Sequence, residues 1–242
     1  MHIPIPENLP STILPIKAFK DNYIWIIIRN NFGVIVDPGE SSQVIKFNNN
    51  NNICPEAILI THKHYDHIDG VKKLIAHYPS IKVYGPTKSK FDFPYQSVKE
   101  NDILVMNKSK LKYKVIEIPG HTLDHVAYLD SELIFCGDTL FGCGCGKLFE
   151  GTAKQMFNSL QKIKSLKTTT KIYCAHEYTL NNIRFAMTEE TNNKELSARY
   201  KKTINQNITL PSSLSEELAT NPFLRATNSL ELKGIRERKD VF

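Results

Sequence analysis

The 242-residue sequence has no apolar run approaching the ~20 residues that a membrane-spanning helix needs, so no stretch reads as transmembrane. The opening residues Met1-His2-Ile3-Pro4-Ile5-Pro6 have neither the basic start nor the apolar centre of a signal peptide, and the cytoplasm is the expected location. Five cysteines (Cys54, Cys136, Cys143, Cys145, Cys174) are an odd number without framework spacing, which excludes a disulfide-stapled fold and fits free thiols. Cys143-Gly144-Cys145 lacks the second cysteine pair of a zinc site. There is no arginine-rich block and no interleaving of basic and aromatic residues, so nucleic acid is not expected as a partner. The net charge of +6 instead suits a small anionic molecule.

The densest chemistry lies in Thr61-His62-Lys63-His64-Tyr65-Asp66-His67, directly after the apolar run Ala57-Ile58-Leu59-Ile60. That run reads as a buried strand, with the histidines in the loop that leaves it and a helix beginning at about Val71. Imidazole nitrogens and carboxylate oxygens suit zinc and similar divalent ions. His62 and His64 point one way and Asp66 and His67 another, so the loop supplies about half of each of two metal sites.

Three further β-rich runs end in polar residues: Leu111 to Ile118 before His121, the hairpin His125–Leu129/Glu132–Cys136 before Asp138, and Lys171 to Ala175 before His176. Ligands at the ends of several strands make an α/β active-site rim. His62, His64 and His121 would serve one ion, Asp66, His67 and His176 another, and Asp138 would bridge them. Two such ions turn water into a hydroxide near neutral pH and polarise a carbonyl or phosphoryl oxygen, with Asp66 also placed to hold the proton. The reaction class is metal-assisted hydrolysis.

Elsewhere, Ile13–Phe19, Tyr23–Ile28 and Phe32–Val36 are expected to form an antiparallel meander broken at Lys20-Asp21-Asn22 and Asn30-Asn31. Asp37 is either a turn former or a partner orienting a ligand histidine. Asn48 to Asn52 reads as a solvated loop, Phe91 to Gln96 as an irregular one, and His2 and His77 as surface or packing histidines. Thr152 is a candidate N-cap for a helix over 153–163. Beyond Glu177 only helical patterning remains, with Ser213-x-x-Glu216 a possible capping box. The expected division is 1–176 and 177–242.

The order and spacing of His62-x-His64-x-Asp66-His67, His121, Asp138 and His176 resemble the metallo-β-lactamase superfamily. Gly137-Asp138-Thr139-Leu140-Phe141, Cys145-Gly146-Lys147-x-x-Glu150-Gly151-Thr152, His176-Glu177-Tyr178-Thr179, Asn221-Pro222-Phe223-x-Arg225 and Arg236-x-x-Lys239 resemble its glyoxalase II (hydroxyacylglutathione hydrolase) family over essentially the whole chain. The resemblance implies an α/β fold, an αββα sandwich with a small C-terminal all-helical domain that binds glutathione. It implies hydrolysis of S-D-lactoylglutathione with two divalent ions, zinc first, with iron or manganese possible; a monomer is expected. It also implies substrate binding by Lys147, Tyr178, Arg236 and Lys239. On the residues alone, Arg236 and Lys239 are equally a solvated basic helix end. Three positions depart from the family pattern: Phe149 stands for a tyrosine, and Asp69 and Asp124 for glycines. A tRNA-processing nuclease and a glutathione-persulfide dioxygenase of the same superfamily are the alternatives.

Overall fold

The structure, a computed structural model, describes residues 11–242; His2 and the Met1–Pro6 stretch lie outside them. The polar breaks cut the N-terminal stretch into β1 (Thr12–Ala18), β2 (Asn22–Arg29) and β3 (Phe32–Val36), paired as an antiparallel meander. Helix α1 (Ser42–Asn51) leads to β4 (Cys54–Leu59), and α2 (Tyr65–Ile68) and α3 (Val71–His77) lead to β5 (Lys82–Pro86) and β6 (Gln96–Val98). β3 to β6 run parallel, completing a six-stranded sheet in chain order.

β7 (Ile103–Met106), β8 (Leu111–Glu117), β9 (Val126–Leu129) and β10 (Leu133–Gly137) form the antiparallel part of a second sheet. β11 (Leu140–Phe141) and β12 (Gly144–Cys145) make a separate ribbon; α4 (Ala153–Lys164) then leads to β13 (Lys171–Cys174), parallel to β10. After α5 (Thr179–Glu189) and α6 (Lys194–Thr203) the chain returns as β14 (Ser212–Ser213), which pairs with β13 at the sheet edge. It finishes with α7 (Leu214–Thr220), α8 (Pro222–Arg225) and α9 (Ser229–Asp240).

The period of two in β2 explains the layering. Tyr23, Trp25 and Ile27 join Tyr113, Tyr128 and Phe135 of the second sheet in one apolar cluster. Ile24 and Ile26 face the opposite way, against Val44 of α1 and Val71 and Leu74 of α3. Each fully buried aliphatic or aromatic side chain contributes about 1.5–3 kcal/mol, so this alternation fixes the strand register. Across the second sheet, α4 adds Met156, Leu160 and Ile163, giving the order helix, sheet, sheet, helix. The sheets are also tied by Trp25 Nε1 donating to the Cys174 carbonyl (2.8 Å) and Tyr128 Oη to that of Ile60 (2.7 Å).

The helical C-terminal segment contributes Phe185, Leu214, Phe223 and Leu232 to the same cluster, and Ile183, Ala186 and Leu196 of α5 and α6 form a small second cluster with Cys143. A buried pair, Arg199 with Glu217 at 2.6 Å, holds the ribbon from behind, because the other oxygen of Glu217 accepts the Cys143 amide at 2.8 Å.

Three local expectations change. The asparagine run is not a loop: Asn48 to Asn51 close α1, and Asn52 caps it in the left-handed region (φ 53°), where asparagine is tolerated. Burial of Val44 holds the run helical despite its poor propensity. Gln96 begins β6 instead of ending an irregular stretch. The histidine motif contains a short helix of its own, with Asp66 and His67 in its first turn. As expected, Thr152 caps α4 in a capping box with Gln155; Ser213 caps α7 by accepting the Glu216 amide, without the reciprocal bond. His77 is exposed.

Candidate metal centre

Four strand ends deliver the seven predicted ligands to one place. β4 ends before His62 and His64, β8 before His121, β10 before Asp138 and β13 before His176. Close backbone approach makes this possible. A Cβ on Gly39 would sit 2.0 Å from the Asp66 carbonyl oxygen. Gly137, at φ +48°, turns the chain into Asp138 where a Cβ would lie 2.4 Å from Thr61 Oγ1.

The ligand atoms fall into the sets expected. His64 Nδ1 lies 3.1 Å from His62 Nε2 and 3.0 Å from His121 Nε2. Asp66 Oδ2 lies 3.6 Å from His67 Nε2 and 3.4 Å from His176 Nε2. Asp138 stands between the sets, Oδ1 at 3.5 Å from His67 Nε2 and Oδ2 at 3.5 and 3.4 Å from His121 and His176 Nε2. Ligand atoms about 2.0–2.1 Å from one tetrahedral ion stand about 3.3 Å apart, so these spacings suit such an ion.

The outer nitrogens fix the tautomers. His121 Nδ1 donates to the Lys147 carbonyl at 2.8 Å. Thr61 Oγ1 gives its proton to Asp37 Oδ2 (2.7 Å), so it accepts from His62 Nδ1 at 3.0 Å. His67 Nδ1 faces Asp37 Oδ2 at 3.0 Å, and His176 Nδ1 faces Asp21 Oδ1 at 2.8 Å. With each Nδ1 carrying the proton, four Nε2 lone pairs point inward at one another and at two carboxylates. His67 Nε2 and Asp138 Oδ1 are buried and have no hydrogen-bond partner. Such a set calls for a cation, and the residues present fit a pair of divalent ions.

Electrostatics show the same demand for positive charge, which in the absence of an ion falls on His67 and His176 as a second proton. Burial pushes the His67 pKa down, but the Asp138 and Asp37 carboxylates outweigh it and raise it to about 10. Burial also opposes the His176 charge, and Asp138, Asp66 and Asp21 raise its pKa to about 11. Asp138 itself, pushed up by burial, is held well below the usual carboxylate range by His176 and His67. His62 and His121 are held neutral, first by burial, as metal-binding imidazoles must be.

A cavity of about 390 Å³ opens onto the centre, lined by His64, Asp66, His121, Asp138 and His176 together with Lys147, Tyr178, Tyr65, Phe141 and Phe149. Tyr178 stacks on His176 with ring centroids 4.7 Å apart. Lys147 and Tyr178 thus line the cavity that opens onto the centre. Arg236 and Lys239 do not line this cavity. Arg236 is buried, donating to the Cys145 carbonyl (2.8 Å) and pairing with Asp240 (3.0 Å); Lys239 lies over the Phe185 and Phe242 rings. Of the departures, Phe149 packs edge-on against His64 and His121, Asp124 is buried and accepts from Ser89 Oγ, and Asp69 is exposed. Among the described residues no candidate metal group contains a cysteine.

The sequence reading passed over His125, whose Nε2 accepts the Asp138 amide (3.1 Å) and whose ring stacks on His62 at 4.5 Å. Its signal was a histidine opening an apolar strand four residues after His121. Asp37 serves in both of its anticipated roles, as a turn residue (φ 52°) and as the acceptor behind His67 and Thr61.

The sequence pattern of the Metallo-beta-lactamase superfamily matches residues 19–176, and that of the Hydroxyacylglutathione hydrolase C-terminus matches residues 177–242. The chain is 46% identical to the hydroxyacylglutathione hydrolase of Nitrosomonas eutropha over 217 residues, covering 88% of this chain and 85% of that protein. The chain belongs to the hydroxyacylglutathione hydrolase family of the metallo-β-lactamase superfamily. A second member, from Photobacterium profundum, is 44% identical over 233 residues, covering 94% of this chain and 91% of its own. In fold the chain is similar to ETHE1 from Myxococcus xanthus, with a TM-score of 0.73 at 22% identity, covering 96% of this chain and 92% of that one. The metallo-β-lactamase fold and the histidine–aspartate cluster together mark a divalent-metal site.

Proposed function

We propose that the chain hydrolyses the thioester S-D-lactoylglutathione to D-lactate and glutathione. Two divalent ions, zinc by preference and iron or manganese as substitutes, would be held by His62, His64 and His121 and by Asp66, His67 and His176, with Asp138 shared. When bound, they lower the pKa of water towards neutrality and polarise the thioester carbonyl. The observation that carries the reading is the convergence of those lone pairs on the floor of a cavity that Lys147 and Tyr178 also line.

The protein's part is orientation and charge. Asp37, Asp21 and the Lys147 carbonyl hold the imidazoles in the tautomers that a cation needs. Asp66 is partly exposed to the cavity and is placed to hold the proton of the attacking water. The Lys147 ammonium faces an anionic tripeptide thiol ester, and the Tyr178 and Phe149 rings flank it. On this reading residues 1–176 carry the chemistry and 177–242 add glutathione contacts. The enzyme acts as a cytoplasmic monomer on a free small molecule.

The test is elemental analysis of purified protein coupled to a thioester-cleavage assay on S-D-lactoylglutathione. Two metal equivalents with cleavage that exhaustive chelation abolishes are expected. Undiminished cleavage by metal-stripped protein would refute the mechanism.

A further inference from the structure

The turn Lys20-Asp21-Asn22 interrupts two apolar strands, and the proposed reaction draws on it only through the contact of Asp21 with His176. Two of them reach the metal centre from outside. Asp21 Oδ1 lies 2.8 Å from His176 Nδ1. Asn22 is buried, and its Nδ2 donates to Asp66 Oδ2 at 3.0 Å and reaches the Asp66 carbonyl at 3.4 Å. A carboxylate only accepts, so the amide must present its NH2 group here.

We propose that Asp21 and Asn22 are positioning residues for one half of the centre only, that of Asp66, His67 and His176. The inference rests on the metal-centre reading above. A histidine at a strand end has two free side-chain torsions; an anionic acceptor on Nδ1 fixes its tautomer, its ring plane and the basicity of Nε2. Asn22 acts on the opposite ligand. It occupies one lone pair of the Asp66 oxygen that faces both His67 and His176, leaving the other directed inward.

The backbone makes the turn a rigid arm rather than a loose loop. The Tyr23 amide donates to the Ala175 carbonyl (2.7 Å) and the Glu177 amide to that of Asp21 (2.9 Å), so an isolated bridge pairs Asn22 with His176 itself. Tyr23 Oη donates to Glu177 at 2.7 Å, anchoring the same junction from beyond. The other half depends on different groups: His62 leans on Thr61 and His121 on the Lys147 carbonyl.

The asymmetry makes the inference testable. Metal-stripped wild type and the variants Asp21→Ala, Asp21→Asn and Asn22→Ala are titrated with Zn2+ against a chromophoric chelator, with near-ultraviolet circular dichroism reporting the fold. Wild type should take up two equivalents. Asp21→Ala and Asn22→Ala should each weaken one equivalent by about 10–100-fold and leave the other at wild-type affinity. Asp21→Asn, whose amide oxygen still accepts from Nδ1, should recover most of the loss; a folding defect would not divide the two equivalents in this way. Equal weakening of both equivalents, or no weakening of either, overturns the proposal. Fewer than two equivalents in wild type would instead remove the metal-centre reading, and this inference with it.

Discussion

Replacing Asp37 by asparagine isolates one carboxylate on which both halves of the centre converge. Asparagine keeps the volume, tolerates the left-handed backbone at this position (φ 52°), and can still accept the Thr61 amide as Oδ1 does now at 2.7 Å. What changes is Oδ2, which today faces two donors, Thr61 Oγ1 at 2.7 Å and His67 Nδ1 at 3.0 Å. An amide NH2 there would set donor against donor in a site that is almost completely buried. Losing the charge-assisted hydrogen bond from Thr61 Oγ1 costs about 1.5–3 kcal/mol, and the lost ion-pair contact with His67 Nδ1 adds to it. Against a typical total of about 5–15 kcal/mol that is a large fraction, readable in urea unfolding of the metal-stripped protein. Zinc titration supplies a second readout. Since Asp37 stands behind His67 directly and behind His62 through Thr61, both equivalents should weaken, by about 10–100-fold. A stability loss under about 1 kcal/mol with both affinities intact would refute the argument.

Asp138→Ala should strip both ions and abolish thioester cleavage, because it removes the one carboxylate placed between the two sets; two retained equivalents at a normal rate would rule out the bridging role. Phe149→Tyr puts a hydroxyl at the exposed cavity rim and should lower KM about fivefold, the worth of one hydrogen bond of about 1 kcal/mol, with kcat unchanged. An unmoved KM would show that the ring does not approach the substrate. Burial, with Arg236 beside it, holds the Lys239 pKa down at about 8. Since the folded value lies below the ordinary one, the folded chain binds fewer protons than the unfolded between about pH 8 and 10.4, and stability rises with pH across that window. A substrate carboxylate at Lys239 would lose its partner over the same range, so KM should climb above pH 8 in wild type and stay flat in Lys239→Arg. Identical profiles would place Lys239 outside the binding site.

Many of the strands and the candidate ligand positions at their tips were readable from linear pattern, whereas the stacking of two sheets was implied only by the family resemblance. Strand alternation and polar breaks are local properties, and a ligand at a strand tip is marked by the apolar run before it. Ala57–Ile60 into His62 and Lys171–Ala175 into His176 need no knowledge of the rest of the chain. The helix over 42–51 was hidden because asparagine has poor helix propensity, and packing of Val44 overrides that preference.

What the tertiary structure alone decided is which groups stand behind the ligands. Asp21 and His176 are 155 residues apart, and Asp37 and Thr61 are 24 apart. His125 was read only as the opening of a strand, yet it faces the Asp138 amide. A hydrogen bond between distant segments leaves no periodicity, because it depends on how two sheets stack and not on the sequence on either side. The same holds for Arg236, whose charge was visible and whose engagement by the Cys145 carbonyl was not. Sequence named the candidate ligands because their chemistry is carried by residue type; only the packed sheets fix the tautomer and direction of each.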